Sequence, residues 1–103
     1  MSPKDFDRIR RENDRFRQSL NDADVILWQA DLVRRGSDFR DAVLRTIREQ
    51  SNFEGDVVGL HDWGTVVVDN QSIEWTLAYL DRNAEAAPPD LANRRVMVIA
   101  SSR

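Results

Sequence analysis

Residues 65 to 79 constrain the fold more tightly than any other stretch of this chain. Thr65 to Val68 is β-branched throughout, Asp69-Asn70-Gln71-Ser72 is a polar turn, and Ile73, Trp75, Leu77 and Tyr79 then alternate with Glu74, Thr76 and Ala78. β-Branched and aromatic side chains fit a pleated surface, and period-two alternation gathers the apolar set on one face. The segment therefore predicts a β-hairpin with one buried side. Val96-Met97-Val98-Ile99-Ala100 predicts a final strand, reached through a loop from Ala84 to Pro89 whose two prolines cannot donate to a ladder. Earlier in the chain, Val25-Ile26-Leu27-Trp28 is a short apolar run between turn formers and predicts a strand buried on both faces.

Two helices complete the set. Ser2-Pro3 predicts a helix start, with serine as cap and proline at the first helical position. Phe6, Ile9, Asn13, Phe16 and Leu20 then recur at spacings of 3, 4, 3 and 4, a narrow stripe that is apolar apart from Asn13. Such a stripe fits a helix lying on its own sheet, and it fits a coiled-coil-like dimer seam in which Asn13 sets register. Charges elsewhere on the cylinder allow Asp7 with Arg11, Arg10 with Asp14, and Glu12 with Arg8 or Arg15. Acids flank the row of Arg8, Arg11 and Arg15, so that row reads as a solvated face and not as a phosphate site. Asn21-Asp22 is the expected end of this helix. Gly36-Ser37-Asp38 opens a second helix, capped by Ser37 or Asp38 and running to about Gln50, with Phe39, Val43 and Ile47 inward and Ala42 and Leu44 at the margins. The order α-β-α-β-β-β specifies a single α+β domain over residues 1–103, two helices packed on a mainly antiparallel sheet of about four strands.

Composition removes several chemistries. Cysteine is absent, which excludes disulfides, thiolate nucleophiles and zinc-thiolate clusters. Net charge is -3, and it is unevenly placed: Lys4 to Arg17 holds six basic and four acidic residues, so the remainder is acidic. A mildly acidic body argues against direct nucleic-acid binding and suits a basic partner. No apolar run approaches the roughly 18 residues that span a bilayer, and the start is charged throughout, so a cytoplasmic protein is expected.

Gly59-Leu60-His61-Asp62-Trp63-Gly64 holds the only histidine beside an acid and a tryptophan. His61 and Asp62 are a partial metal set, with Asp81 the nearest candidate for a third ligand, and Asp62 or Asp81 could orient His61 as a general base. No G-x-S-x-G, P-loop or G-x-G-x-x-G sequence accompanies them. Each residue also has an ordinary role in a tight turn, and His61 or Trp63 on such a turn could contact a partner.

Ile9-Arg10, Asn13-Asp14 and Phe16-Arg17, then His61-Asp62-Trp63-Gly64, then Tyr79-Leu80-Asp81, then Arg95-Val96-Met97-Val98-Ile99 follow one another along most of the chain. In order and spacing they resemble a small bacterial domain family of unknown function, with an I-R-x-x-N-D-x-F-R helix, an H-D-[FW]-G segment, a strand ending in Y-x-D and a terminal R-V-hydrophobic run. The resemblance implies a bacterial, plasmid or phage-like origin and supplies no reaction. The family strand reads aromatic-K-hydrophobic-D-Y-Y-D. Here Trp75-Thr76-Leu77-Ala78-Tyr79-Leu80-Asp81 lacks the lysine and the first aspartate, so a site built on those charges is dismantled. The favoured expectation is a non-catalytic protein-interaction module without cofactor, a phage or mobile-element protein of the anti-CRISPR or anti-restriction type that binds a host defence complex. Its candidate contact residues are His61, Asp62, Trp63, Tyr79 and Asp81. The alternatives are a small hydrolase or metal-dependent enzyme centred on His61, Asp62 and Asp81, and a homodimeric accessory protein using the seam from Phe6 to Leu20.

Overall fold

A computed structural model describes residues 2–20 and 25–102. The first helix, α1 (Pro3–Gln18), begins as its sequence dictates. Ser2 caps it, and the Asp5 carboxylate returns to accept from the Ser2 N–H at 3.0 Å and from its hydroxyl at 3.1 Å. Those bonds hold the Asp5 carboxyl below its ordinary pKa. The helix closes on Ser19, and the expected stop at Asn21-Asp22 lies outside the described residues. Ile9, Asn13 and Leu20 are buried and Phe16 packs against the core, so the stripe is an internal packing face in this chain. The ion pairs differ in part from those expected. Glu12 does pair with Arg8, but Asp7 meets Arg10 and Asp14 meets Arg17, both at i,i+3.

Strand β1 (Ile26–Trp28) leads directly into a one-turn helix, α2 (Ala30–Val33), which was not anticipated. Leu32 from this turn is wholly buried. The second long helix, α3 (Ser37–Arg48), is capped by Gly36 and not by Ser37 or Asp38. Only Arg34, Arg35 and Gly36 separate the two helices, and the reversal passes through φ 92° at Gly36, where a side chain would be strained.

The hairpin forms from β2 (Trp63–Val68) and β3 (Gln71–Leu80). Its turn is tighter than the expected four residues. Val68 pairs with Gln71, and Asp69 and Asn70 both take positive φ, the type I′ geometry that matches strand twist. After a loop containing a 3-10 turn at Pro89–Leu91, β4 (Arg94–Ser101) returns antiparallel to β3. Strand order is β1-β4-β3-β2, and β1 joins β4 in parallel, which makes the sheet mixed.

Trp75, Ile73, Met97 and Ile99 project from one face of the sheet against Ile47, Val43 and Leu32, each fully buried. Burial of side chains of this size contributes roughly 1.5–3 kcal/mol apiece. The opposite face carries no helix among the described residues. This overturns the expectation that β1 is buried on both sides: Leu27 points outward and is 60% exposed. It begins a row running Leu27, Val98, Thr76, Trp63 across all four strands. No helix of the described residues is long and apolar enough to cross a membrane.

Candidate functional site

Along α1, Arg10, Asn13, Asp14 and Arg17 lie at i, i+3, i+4 and i+7 and therefore share one face of the helix. Three of them bind three consecutive residues of the approach to β2. Arg10 donates to the Gly59 carbonyl at 3.2 Å, Asn13 Nδ2 to the Leu60 carbonyl at 2.9 Å, and Asp14 Oδ1 lies 2.8 Å from His61 Nδ1. Arg17, only 2% exposed, donates to the carbonyls of Ile47, Arg48 and Gln50 at 2.9–3.1 Å and so caps the C-terminus of α3. Its Nε finds no hydrogen-bond partner among the described residues. The guanidinium sits 4.9 Å from the centre of the Phe53 ring, a cation–π contact that offsets the missing bond.

The loop holds itself from the other side. The Asp56 carboxylate accepts from the backbone N–H groups of Gly59 at 3.0 Å and His61 at 2.8 Å, keeping His61 in the left-handed region at φ 55°. Phe53 stacks on the imidazole with ring centres 3.9 Å apart and planes within 7°, and it meets Trp75 edge-on at 6.3 Å. The Trp75 indole N–H donates to Gln50 Oε1 at 2.8 Å. Gly64 lies directly above this bond. A Cβ there would come within 2.8 Å of the indole nitrogen and of the Gln50 amide, so the strand approaches closely only because the residue has no side chain.

Tyr79 closes the network from β3. Its hydroxyl accepts from Asn13 Nδ2 at 2.9 Å and donates to Asp62 Oδ2 at 3.0 Å. Arg95 on β4 donates through Nε to Asn13 Oδ1 at 2.6 Å and through its terminal nitrogen to Glu12 at 3.0 Å, with its guanidinium 5.4 Å from the Tyr79 ring centre. Desolvation drives the Tyr79 phenol well above its ordinary pKa, helped by Asp62 and opposed by the Asn13 bond and the Arg95 charge.

His61, Asp62 and Tyr79 thus come together, but not in the expected arrangement. Neither Asp62 nor Asp81 orients His61; Asp14 does, from a helix 47 positions earlier. Asp81 stands apart, accepting from the N–H groups of Asn83 at 2.8 Å and Glu85 at 3.1 Å in the turn after β3. Trp63 is half-buried, with its indole against Gly55. Among the described residues no three histidine, aspartate or glutamate side chains gather where a metal could sit.

The Asp14–His61 pair has one ingredient of acid–base chemistry. An ionised carboxylate can only accept, so Nδ1 carries a proton, and only in the neutral imidazole does Nε2 present a lone pair. Among the described residues no hydroxyl hydrogen-bonds to that nitrogen, and the neighbouring cleft of about 350 Å³ is lined by Gln50, Phe53, Trp63 and Gly64 without His61 among its walls. Arg10, Arg17, Asp56, Phe53 and Arg95 escaped the reading of candidate sites. Only Arg10 and Arg17 carried a usable signal, being polar positions that flank the Asn13 stripe at helical spacing. Comparison of the chain with protein-family models, with curated proteins and with solved structures finds no match.

Proposed function

We propose that this protein is a non-catalytic protein-interaction module that presents the segment just before β2 to a protein partner. The observation that carries this reading is the state of Val57 and Val58, which are 96% and 61% exposed while the residues on both sides of them are tied down. A β-branched side chain left almost wholly in water on a fixed loop is a ready anchor for a partner's pocket. The polar residues that resemble a catalytic set support the same reading, because Asn13, Asp14, Asp62 and Tyr79 are occupied with one another and with the loop.

In its most specific form the proposal is a cytoplasmic phage or mobile-element protein that inhibits a host defence complex by occupying it. Support for that form comes from the sequence resemblance and from the acidic body, which would steer the module towards a basic, nucleic-acid-binding surface. Affinity capture from bacterial lysates tests it, with wild type compared against Val57→Asp and Val58→Asp. Wild type should retain one large assembly that both variants lose while keeping their melting temperatures. Retention of the same proteins by all three would show that the loop tip is not the contact.

A further inference from the structure

The outer face of the sheet is strangely poor in charge for this chain. Of its thirteen outward positions on β1 to β4, only Glu74 and Arg94 are charged, in a protein where 32% of residues are. Its centre is apolar: Leu27 and Val98 pair side by side at 60% and 41% exposure, and Val96 extends the patch along β4. The two charges stand at opposite ends. Arg94 pairs with Leu80, six residues along β3 from Glu74, so at about 3.3 Å per residue they are separated by roughly 20 Å.

We propose that this face seats a second copy of the chain, sheet on sheet, about a two-fold axis crossing the strands at the level of Leu77. That axis reverses the strand direction between copies and places Glu74 of each over the Arg94 end of the other. An uncharged contact is then closed at both ends by an ion pair. A different partner would have to supply a base and an acid at this same spacing, whereas a second copy carries them by symmetry. Four strands at about 4.8 Å and a length of roughly 20 Å bound the face at about 400 Å² in projection on each copy, β1 being only three residues long. Stable dimers lose about 800 Å² of accessible surface per partner, so this one is reversible. The proposal is independent of the loop-tip reading.

Sedimentation equilibrium on the intact chain from about 5 to 500 µM, a span suited to a contact of this size, should show monomer passing into dimer. Val98→Glu, at a position already in solvent, should abolish the dimer with an unchanged circular dichroism melt. Glu74→Arg alone and Arg94→Glu alone should each weaken it roughly tenfold, since each turns two exposed attractions into two repulsions. The double exchange should restore it to within about threefold. Val57→Asp should leave it unaltered. A wild type that stays monomeric across the range overturns the proposal and leaves the face to a different macromolecule. A dimer indifferent to Val98→Glu, or one that the double exchange fails to restore, also overturns it.

Discussion

Replacing Asn13 with leucine tests whether the network beneath the His61 loop is the joint that holds α1 to the sheet. Leucine keeps the branched four-heavy-atom skeleton of asparagine but is bulkier, and the site is fully buried, so three hydrogen bonds disappear and any overpacking adds to their loss. The Tyr79 hydroxyl keeps its bond to Asp62, and Arg95 keeps Glu12. The Leu60 carbonyl and Arg95 Nε are left without the partners the structure gives them. Each buried group so stranded costs about 1–3 kcal/mol, and the charged one lies at the upper end. The greater apolarity of leucine returns part of this, and a net loss of about 3–4 kcal/mol is expected. Against a total stability of about 5–15 kcal/mol for a domain, that is a large fraction. Urea unfolding followed by tryptophan fluorescence should show the midpoint falling steeply at constant slope, with melting lowered by at least about 12 °C. Tyr79→Phe removes only the hydroxyl and should cost about 1–2 kcal/mol. Because the two residues share a bond, the double variant should fall short of additivity by about 1 kcal/mol. A loss below about 1 kcal/mol for Asn13→Leu would refute the reasoning, since it would mean that the stranded groups find water at no cost.

Tyr79 is the only tyrosine, so its ionisation can be followed alone by ultraviolet absorbance. Its pKa in the folded protein lies above the ordinary value of 10.0, which means the folded state keeps a proton that the unfolded state releases. The stability this contributes is complete below about pH 10 and is lost as pH rises beyond it. Tyrosinate absorbance should therefore stay flat past pH 10 and appear together with unfolding, whereas titration of the native protein near pH 10 would contradict the buried phenol. Ala84 adopts φ 62° in the turn after β3, a conformation that a side chain resists. Ala84→Gly should thus raise stability by about 0.5–1 kcal/mol in the same urea assay, and a destabilised variant would show that the turn does not hold that angle.

Most of the elements were legible because each depends on neighbours along the chain. Period two in residues 73–79 and the stripe from Phe6 to Leu20 specify which faces must be buried, whatever covers them. The same logic failed at β1, where four apolar residues in a row do not reveal whether two faces or one are covered. Leu27 projects from the helix-free side all the same. The parallel pairing of β1 with β4 was hidden for a related reason, since it joins Ile26 to Met97 across more than two thirds of the chain. The candidate site divides in the same way. The sequence marked His61, Asp62 and Tyr79 as unusual, but the meaning of His61 and Tyr79 depends on partners supplied by α1, 47 and 66 positions away, and Asp62 is tied in only through Tyr79. A carboxylate such as Asp14 on a charged helix looks like any solvated residue until the fold brings His61 to it.

That long-range clamp bears directly on how the loop could bind anything. Holding one residue's backbone in a single conformation costs about 1–2 kcal/mol, and a free loop of this length must meet that cost at the moment of binding. Here the cost is met during folding. Asp56 fixes the N–H groups of Gly59 and His61, Arg10 and Asn13 fix two successive carbonyls, and Phe53 holds the imidazole by stacking. Val57 and Val58 are the residues left outside this set of bonds, and their β-branched side chains have little rotamer freedom left to lose. On the interaction-module reading proposed above, a network that looks like catalytic machinery acts by stiffening its neighbours. Its effect on binding should appear in the affinity of the Val57–Val58 tip, because loosening the clamp restores the ordering cost without removing a single contact to the partner.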